Sequence, residues 1–448
     1  MHTHQMTLDP ARPWSAFAPD AFLKGGKLHG HLLKLAALSR GCTVDPIGDN
    51  LFLVSAPDGR TTCYSGRATP VMGIVAHRLA GNKIASAALM QKQGVQTPNG
   101  KVFGPRQLNA AIARFKSLSF PAVVKPIEGS GGAGVTVNIL DEAHFRAAWE
   151  EALKISRRGV IVERFISGRD YRVFVIGDKV VAAARRHPAS ITGDGKHTVA
   201  ELLDLKSAER AAIPYVGDKT LALTPAMIRR LEVAGRSPQH VLDKGEVWQL
   251  HEVANIGAGG DSEDVTALIH PDFVEIAIRA RQSIPGMGYA GVDLLAADIS
   301  LPQDSQDWAI CEINSSPEFA LHHFPVFGQG RDVAGALIEH ALGMTAQYAA
   351  SASTTVHIRI HGKVTGVGYR RWLQRQAQAY NLQGWVANTA DSAVEAVLHG
   401  PKGVVAAVIT SCRKGPKIAK PRSVSLIAET DEAPNQAGFT VRPDLVPV

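Results

Sequence analysis

Cysteine is scarce in this chain: four residues (Cys42, Cys63, Cys311 and Cys412) in 448, none in a C-x-x-C pair. That spacing argues against a disulfide framework or a zinc knuckle and leaves buried thiols as the expectation. The 17 histidines include no H-E-x-x-H or similar metal spacing, so a zinc enzyme is not indicated. No apolar run approaches the ~18 residues needed to span a bilayer. The stretch Met1 to Pro10 also lacks the basic flank and apolar core of a signal peptide. The expectation is a cytoplasmic protein with no membrane partner.

What the chain does have is length enough for several cores. With 45% hydrophobic and 20% charged residues, it has the composition of a globular protein of about two to four packed units. The net charge of +7 is unevenly placed, because residues 351 to 448 hold twelve Lys and Arg against six Asp and Glu. That basic tail shows no interleaved aromatics and no helix-turn-helix or RNA-binding signature. A small anionic ligand is therefore expected there in preference to nucleic acid.

The Ala/Ser/Thr-rich stretch 343 to 355 reads as a linker. Residues 1 to 80 mix a helical stripe (Leu32, Leu33, Leu35, Leu38) with strand-like runs such as Leu51 to Val54, a small α/β lobe. Residues 81 to 342 begin with a helix from Lys83 that stops at Gly94. Strands Ala122 to Lys125 and Val135 to Ile139 follow around a glycine loop, then a helix started by Asp141 and a strand Val160 to Phe165. Next come a hairpin turning at Gly177-Asp178, helices Val199 to Ala212 and Pro225 to Val233, and strands near Gly291 to Leu295 and Ala309 to Asn314. The predicted fold class is α+β, since regular βαβ alternation is missing.

Gly129-Ser130-Gly131-Gly132-Ala133-Gly134 formally matches G-x-G-x-x-G. A dinucleotide-binding loop must open a helix, whereas this one joins two strands, as a flap over phosphates would. The P-loop pattern G-x-x-x-x-G-K-[ST] is absent too. Lys125 ends an apolar strand, where an unpaired ammonium is costly unless an anion answers it. Lys83 stands at the start of the preceding helix, and both could neutralise nucleotide phosphates. Glu312 and Asn314, two apart on a strand, point to one face, and with Asp293 they make a hard-oxygen set suited to Mg²⁺.

Further pieces fall in the same order: Val162-Glu163-Arg164-Phe165, Gly168-Arg169-Asp170-Tyr171-Arg172, Arg186-His187-Pro188, Gly193-Asp194-Gly195, Ala254-Asn255, Gly259-Gly260 and Asp264-Val265-Thr266. Together with Asn82-Lys83, the glycine flap, Gly291-Val292-Asp293 and Glu312-Ile313-Asn314, they resemble the ATP-grasp superfamily, and within it the ligase core of cyanophycin synthetase, over roughly residues 80 to 342. The resemblance implies two α/β subdomains gripping ATP, with two Mg²⁺ ions for which Mn²⁺ can substitute. It implies that Lys83, Lys125 and the flap glycines Gly131 and Gly132 hold phosphates. Glu163 and Phe165 would belong to the adenine hinge, Asp170 would lie near the ribose and Asn255 would contact phosphate. Asp293, Glu312 and Asn314 would bind the metal ions, and Arg186 would stabilise the transferring phosphoryl group. Family analogy further implies a homodimer or homotetramer. Two departures, His251 in place of an arginine and Pro317-Glu318 in place of Pro-Gly, fall where the acceptor substrate should bind.

Residues 356 to 448 read as strand, glycine loop, helix, two strands, helix and two strands, a ferredoxin-like β-α-β-β-α-β plan with extras. The loop Gly362 to Gly368 would aim backbone N–H groups and Arg370 at one anion. With Gly384-Trp385-Val386-Ala387-Asn388 and Gly415-Pro416, this region resembles acylphosphatase. The resemblance implies that Arg370 binds a phosphoryl group and Asn388 orients the attacking water, without a metal. Thr365 replaces the usual glutamine and Ala387 a common arginine.

The expected function is ATP-dependent amide formation from small-molecule carboxylate and amine substrates, amino acids or peptides, through an acyl phosphate. The tail domain would hydrolyse misactivated acyl phosphates. The alternatives are an enzyme that passes on an acyl or carbamoyl phosphate, and a ligase whose tail is an inactive docking module.

Overall fold

The hairpin read at Gly177-Asp178 lies at the centre of the first of two compact units. In the computed structural model, strands Arg169–Ile176 and Lys179–His187 pair antiparallel across this turn, and Gly177 takes a φ of 52°, which glycine adopts without strain. The structure describes residues 27 to 445, apart from 49, 119 to 120, 130 to 131, 212, 218, 220, 252 to 253, 345 to 352 and 436. Of these, the first unit takes in 71 to 211 and 216 to 333, and the second 27 to 70, 213 to 215 and 334 to 445.

The hairpin belongs to a five-stranded antiparallel sheet in the order Asp261–Asp264, Lys179–His187, Arg169–Ile176, Tyr289–Ala296, Trp308–Asn314. Side chains alternate along each strand, so Tyr171, Val173, Val175, Val292 and Leu294 fall on one face and are buried. They share a core with Phe273, Ile276, Ala277 and Ala280, the apolar stripe of helix Pro271–Gln282, which opens with proline in its first turn. Each large side chain so buried contributes about 1.5–3 kcal/mol. The opposite face carries buried Phe174, Ile176 and Tyr289 toward one end and the charged Asp170, Arg172, Arg186 and Asp293 toward the other.

A second, four-stranded antiparallel sheet has the order Lys101–Phe103, Val160–Arg164, Ala122–Pro126, Thr136–Ile139. Its Val124, Val160 and Val162 pack with Phe145 and Trp149 of helix Glu142–Ile155, whose N-cap Asp141 accepts from the His144 amide. The glycine flap joins the second sheet's last two neighbours in sequence, so it closes a strand pair as expected. A smaller core, including Ile191, Val199, Leu203, Leu231 and Leu242, joins helices Val199–Ala211 and Pro225–Val233 to the short strand pair Ser190–Thr192 and Val247–Gln249.

In the second unit the sheet order is Lys420–Thr430, Ser353–Lys363, Val394–Pro401, Gln383–Asn388, Phe439–Val441, with only the last pair parallel. Helices Tyr369–Ala379 and Lys402–Cys412 complete the predicted βαββαβ plan. Helix Lys27–Ser39 packs on helix Lys402–Cys412 so closely that a Cβ at Gly403 would lie 2.1 Å from the Leu38 carbonyl oxygen. Leu38 belongs to the same core as Val404, Val405 and Val408.

Three expectations need correction. The lobe drawn to residue 80 ends at 70, because helix Ile74–Gly81 sends Ala76 and Ala80 into the first unit's core. Of the expected linker 343 to 355, residues 345 to 352 lie outside the described residues. Ser353 to Thr355, however, begin a strand in which Thr354 and Thr355 are buried and their hydroxyls bonded to Glu429 and His399. Finally, Cys63 is exposed and Cys311 half-buried, leaving only Cys42 and Cys412 fully buried; Cys63 occupies an outward position in the alternating strand Thr61–Ser65. Among the described residues, no helix is long and apolar enough to cross a membrane.

Candidate functional site

The polar face of the five-stranded sheet gathers residues from four strands by register alone. Asp170 lies opposite Arg186, Arg172 opposite Asp293, Asp293 opposite Glu312 and Gly291 opposite Asn314. Asp293 accepts from Arg172 Nε at 2.5 Å and lies 3.3 Å from Arg186 Nη2. Arg186 Nη2 is also 2.6 Å from Asp170 Oδ1. Two arginines and two carboxylates thus form one buried network. Burial opposes ionisation of Asp293, yet Arg172 and Arg186 hold its carboxyl below the usual range. Burial raises Asp170 despite Arg186. A bulge places Cys311 as the extra residue beside Glu312, and burial together with Glu163 pushes its thiol well up, which makes it a poor nucleophile.

On the second sheet Lys125 Nζ donates to Glu163 Oε1 at 2.7 Å, with both side chains nearly buried. Burial disfavours the ammonium, but Glu163, with smaller contributions from Cys311 and Glu312, raises the Lys125 pKa overall. Lys125 therefore carries a secure charge within electrostatic reach of Glu312. Lys83 opens helix Lys83–Lys92, capped by Asn82, and has no ion-pair partner among the described residues. Phe165 is half-buried and follows Glu163. In the flap, Gly132 and Gly134 take positive φ, and a Cβ at Gly134 would meet Ile155 at 2.8 Å; Gly131 lies outside the described residues. The Asn255 side chain accepts from the Gly257 amide at 2.8 Å and caps a short 3₁₀ turn. The ribose assignment of Asp170 meets a competing use, since its carboxylate is bonded to Arg186.

For a divalent cation the donor chemistry fits. Asp293, Glu312 and Asn314 offer hard oxygens on one face, and Glu312 has no hydrogen bond or ion pair among the described residues. Asp293 is engaged by its arginines, and Asn314 Nδ2 lies 3.4 Å from its Oδ2. No cluster of three or more His, Cys, Asp or Glu suited to a metal occurs among the described residues, so the amide of Asn314 is needed as the third donor.

The tail site is built differently. Gly366 and Gly368 take φ of 71° and 73°, turning the chain into helix Tyr369–Ala379, whose N-cap Gly368 supplies no side-chain bond to the first-turn amides. Arg370 projects from that first turn and Asn388 ends strand Gln383–Asn388. Their Nη1 and Nδ2 atoms converge on one oxygen, Asp444 Oδ1, at 2.5 and 3.2 Å. A two-donor anion site is therefore formed, with a carboxylate as its occupant.

Two residues of these sites escaped the sequence reading. Arg172 was legible only as part of a motif, although its i+2 spacing from Asp170 puts both on one face. Asp444 gave no signal beyond being an acidic residue in a basic tail.

A RimK-like ATP-grasp domain model matches residues 80 to 235, and an acylphosphatase model matches residues 356 to 441, ending just before Asp444. Cyanophycin synthetase from Nostoc sp. (strain PCC 7120) is 37% identical over 278 residues, covering 60% of this chain and 30% of that protein. The glutathione biosynthesis bifunctional protein of Mannheimia succiniciproducens is 29% identical over 319 residues, 68% of this chain and 41% of its own length. A bifunctional glutathione synthetase structure from Pasteurella multocida is similar with a TM-score of 0.55 and 26% identity, over 71% of this chain and 43% of that one. The chain spans about a third of the length of the cyanophycin synthetases it matches. It carries an ATP-grasp domain of the RimK-like kind and, C-terminal to it, an acylphosphatase domain.

Proposed function

We propose that the chain is an ATP-dependent carboxylate-amine ligase that forms an amide through an acyl phosphate. The observation that supports this most is the sheet face bearing Arg186, Asp293, Glu312 and Asn314, with the charged Lys125 in electrostatic reach of Glu312. The relatives' names point to amino acids or peptides as the source of the carboxylate and the amine. A substrate carboxylate oxygen attacks the γ-phosphorus of ATP, the bond to the ADP oxygen breaks, and ADP leaves. The amine then attacks the acyl carbon, phosphate leaves, and the amine proton passes to solvent.

Lys83 and Lys125 would neutralise nucleotide phosphates, and Arg186 would stabilise the charge on the transferring phosphoryl group. Removing such a donor costs ~10²-fold or more in rate. Asp293, Glu312 and Asn314 would hold Mg²⁺, which supplies further charge neutralisation at phosphate oxygens.

A hydrophobic pocket gains only ~1–3 kcal/mol per methylene, so such a pocket would also let wrong carboxylates be activated. The tail domain would hydrolyse those acyl phosphates, with Arg370 binding the phosphoryl group and Asn388 orienting the water that attacks phosphorus. A second reading, a docking module without hydrolysis, draws on the Asp444 carboxylate lying between Arg370 and Asn388. Turnover of a synthetic acyl phosphate by wild type but not by Arg370→Ala favours the hydrolase; equal rates in the two proteins exclude it. The ligase is tested by ADP release with a panel of carboxylates and amines. Normal ADP formation by Glu312→Ala would overturn its metal assignment.

A further inference from the structure

The Asp444 contact is held in place by more than its ion pair. Strand Phe439–Val441 runs parallel to Gln383–Asn388, and the chain continues alongside it: Arg442 N donates to Val386 O at 2.9 Å and Leu445 N to Asn388 O at 2.8 Å. The Arg442 guanidinium also lies 4.5 Å from the centre of the Trp385 ring. These contacts bracket Asp444 and deliver its carboxylate to Arg370 and Asn388, the two groups that in the hydrolytic reading take a phosphoryl oxygen and orient water. A second anion on the same donors meets both occupied hydrogen-bond positions and like-charge repulsion.

We infer that Asp444 is an internal competitor for the tail domain's anion site, a carboxylate carried on the segment that follows strand Phe439–Val441, which a phosphoryl group must displace before it binds Arg370 and Asn388. The inference rests on the anion-binding role proposed for that pair. Tethering gives the carboxylate a high local concentration without new contacts. The pair is partly exposed, with side-chain exposures of 33% for Arg370 and 63% for Asp444, and exposed ion pairs are weak, so displacement costs about two- to fivefold in affinity.

The test uses the full chain with inorganic phosphate as the binding probe and benzoyl phosphate as the substrate. Asp444→Asn and Asp444→Ala should each lower the phosphate Kd and the benzoyl phosphate KM by about two- to fivefold, with kcat preserved. Arg442→Ala, which loosens the segment but keeps the carboxylate, should shift both in the same direction by less. Unchanged Kd and KM in the Asp444 variants would overturn the inference. So would a fall in kcat with KM unaltered, which would make Asp444 a positioning residue for Arg370. If no protein hydrolyses benzoyl phosphate, the hydrolytic reading fails, while the phosphate titration still decides the competition. Phosphate binding too weak to detect in every variant overturns both. Equal melting temperatures across the set exclude misfolding as the cause.

Discussion

Arg186 and Asp170 are register partners on adjacent antiparallel strands, and the guanidinium Nη2 stands 2.6 Å from the carboxylate Oδ1. Asp170 thereby aims the arginine across its sheet face toward Asp293. If this is its role, Asp170→Ala lowers kcat for ADP formation by up to about 10²-fold, the effect of misplacing a reacting group, and leaves KM for ATP nearly unchanged. A contact to the ribose would show the opposite pattern, a raised KM with kcat kept.

Asp261 is buried between Lys206, whose Nζ is 2.6 Å from Oδ2, and Arg210, which donates to Oδ1 and to the Gly260 carbonyl. Removing the carboxylate strands a guanidinium in the interior. Asp261→Ala should lose about 3–5 kcal/mol in urea unfolding. A loss within the range of an ordinary surface change would show that the cluster is solvated.

The Lys125–Glu163 pair gives a pH signature. Glu163 raises the Lys125 pKa above its unfolded value, so the stability due to the pair is complete below the ordinary lysine pKa of about 10.4 and is lost as pH rises through the higher folded value. Thermal melts of wild type and Glu163→Gln should differ by a constant amount from neutral pH to about pH 10 and converge above it. A gap that persists or widens at higher pH contradicts the pairing.

Gly403 is the point at which helix Lys402–Cys412 touches the N-terminal helix. Gly403→Val forces a side chain against the Leu38 carbonyl and should cost about 1–3 kcal/mol. A neutral variant would show that helix Lys27–Ser39 does not pack on helix Lys402–Cys412 as described.

Strong local patterns make much of the fold legible in the sequence. The apolar run Val173 to Ile176, the Asp141 cap and the Gly177 turn each act over a few residues, and the βαββαβ order of the tail followed from the same kind of signal. Long-range choices were not legible. Nothing within residues 27 to 70 indicates that their helix will seat on a helix beginning at residue 402, since that depends on a glycine far away in sequence allowing close approach. Lys125, Asp293, Glu312 and Asn314 were readable because apolar strands carry them. The use of Asp170 to hold Arg186 depends on strand register, and that of Asp444 on a parallel strand of only three residues, so neither could be read from the sequence.

The most direct measurement follows ADP formation and amide product together, for wild type, Glu312→Ala and Arg370→Ala, with matched and mismatched carboxylates and an amine. A ligase with a hydrolytic tail should form ADP and amide with the matched pair, lose both in Glu312→Ala by ~10²-fold or more, and keep both in Arg370→Ala. With a mismatched carboxylate, acyl phosphate should accumulate in Arg370→Ala alone. No carboxylate-dependent ADP formation in wild type with any substrate pair would contradict the proposed ligase, and undiminished ADP formation in Glu312→Ala would contradict the metal assignment.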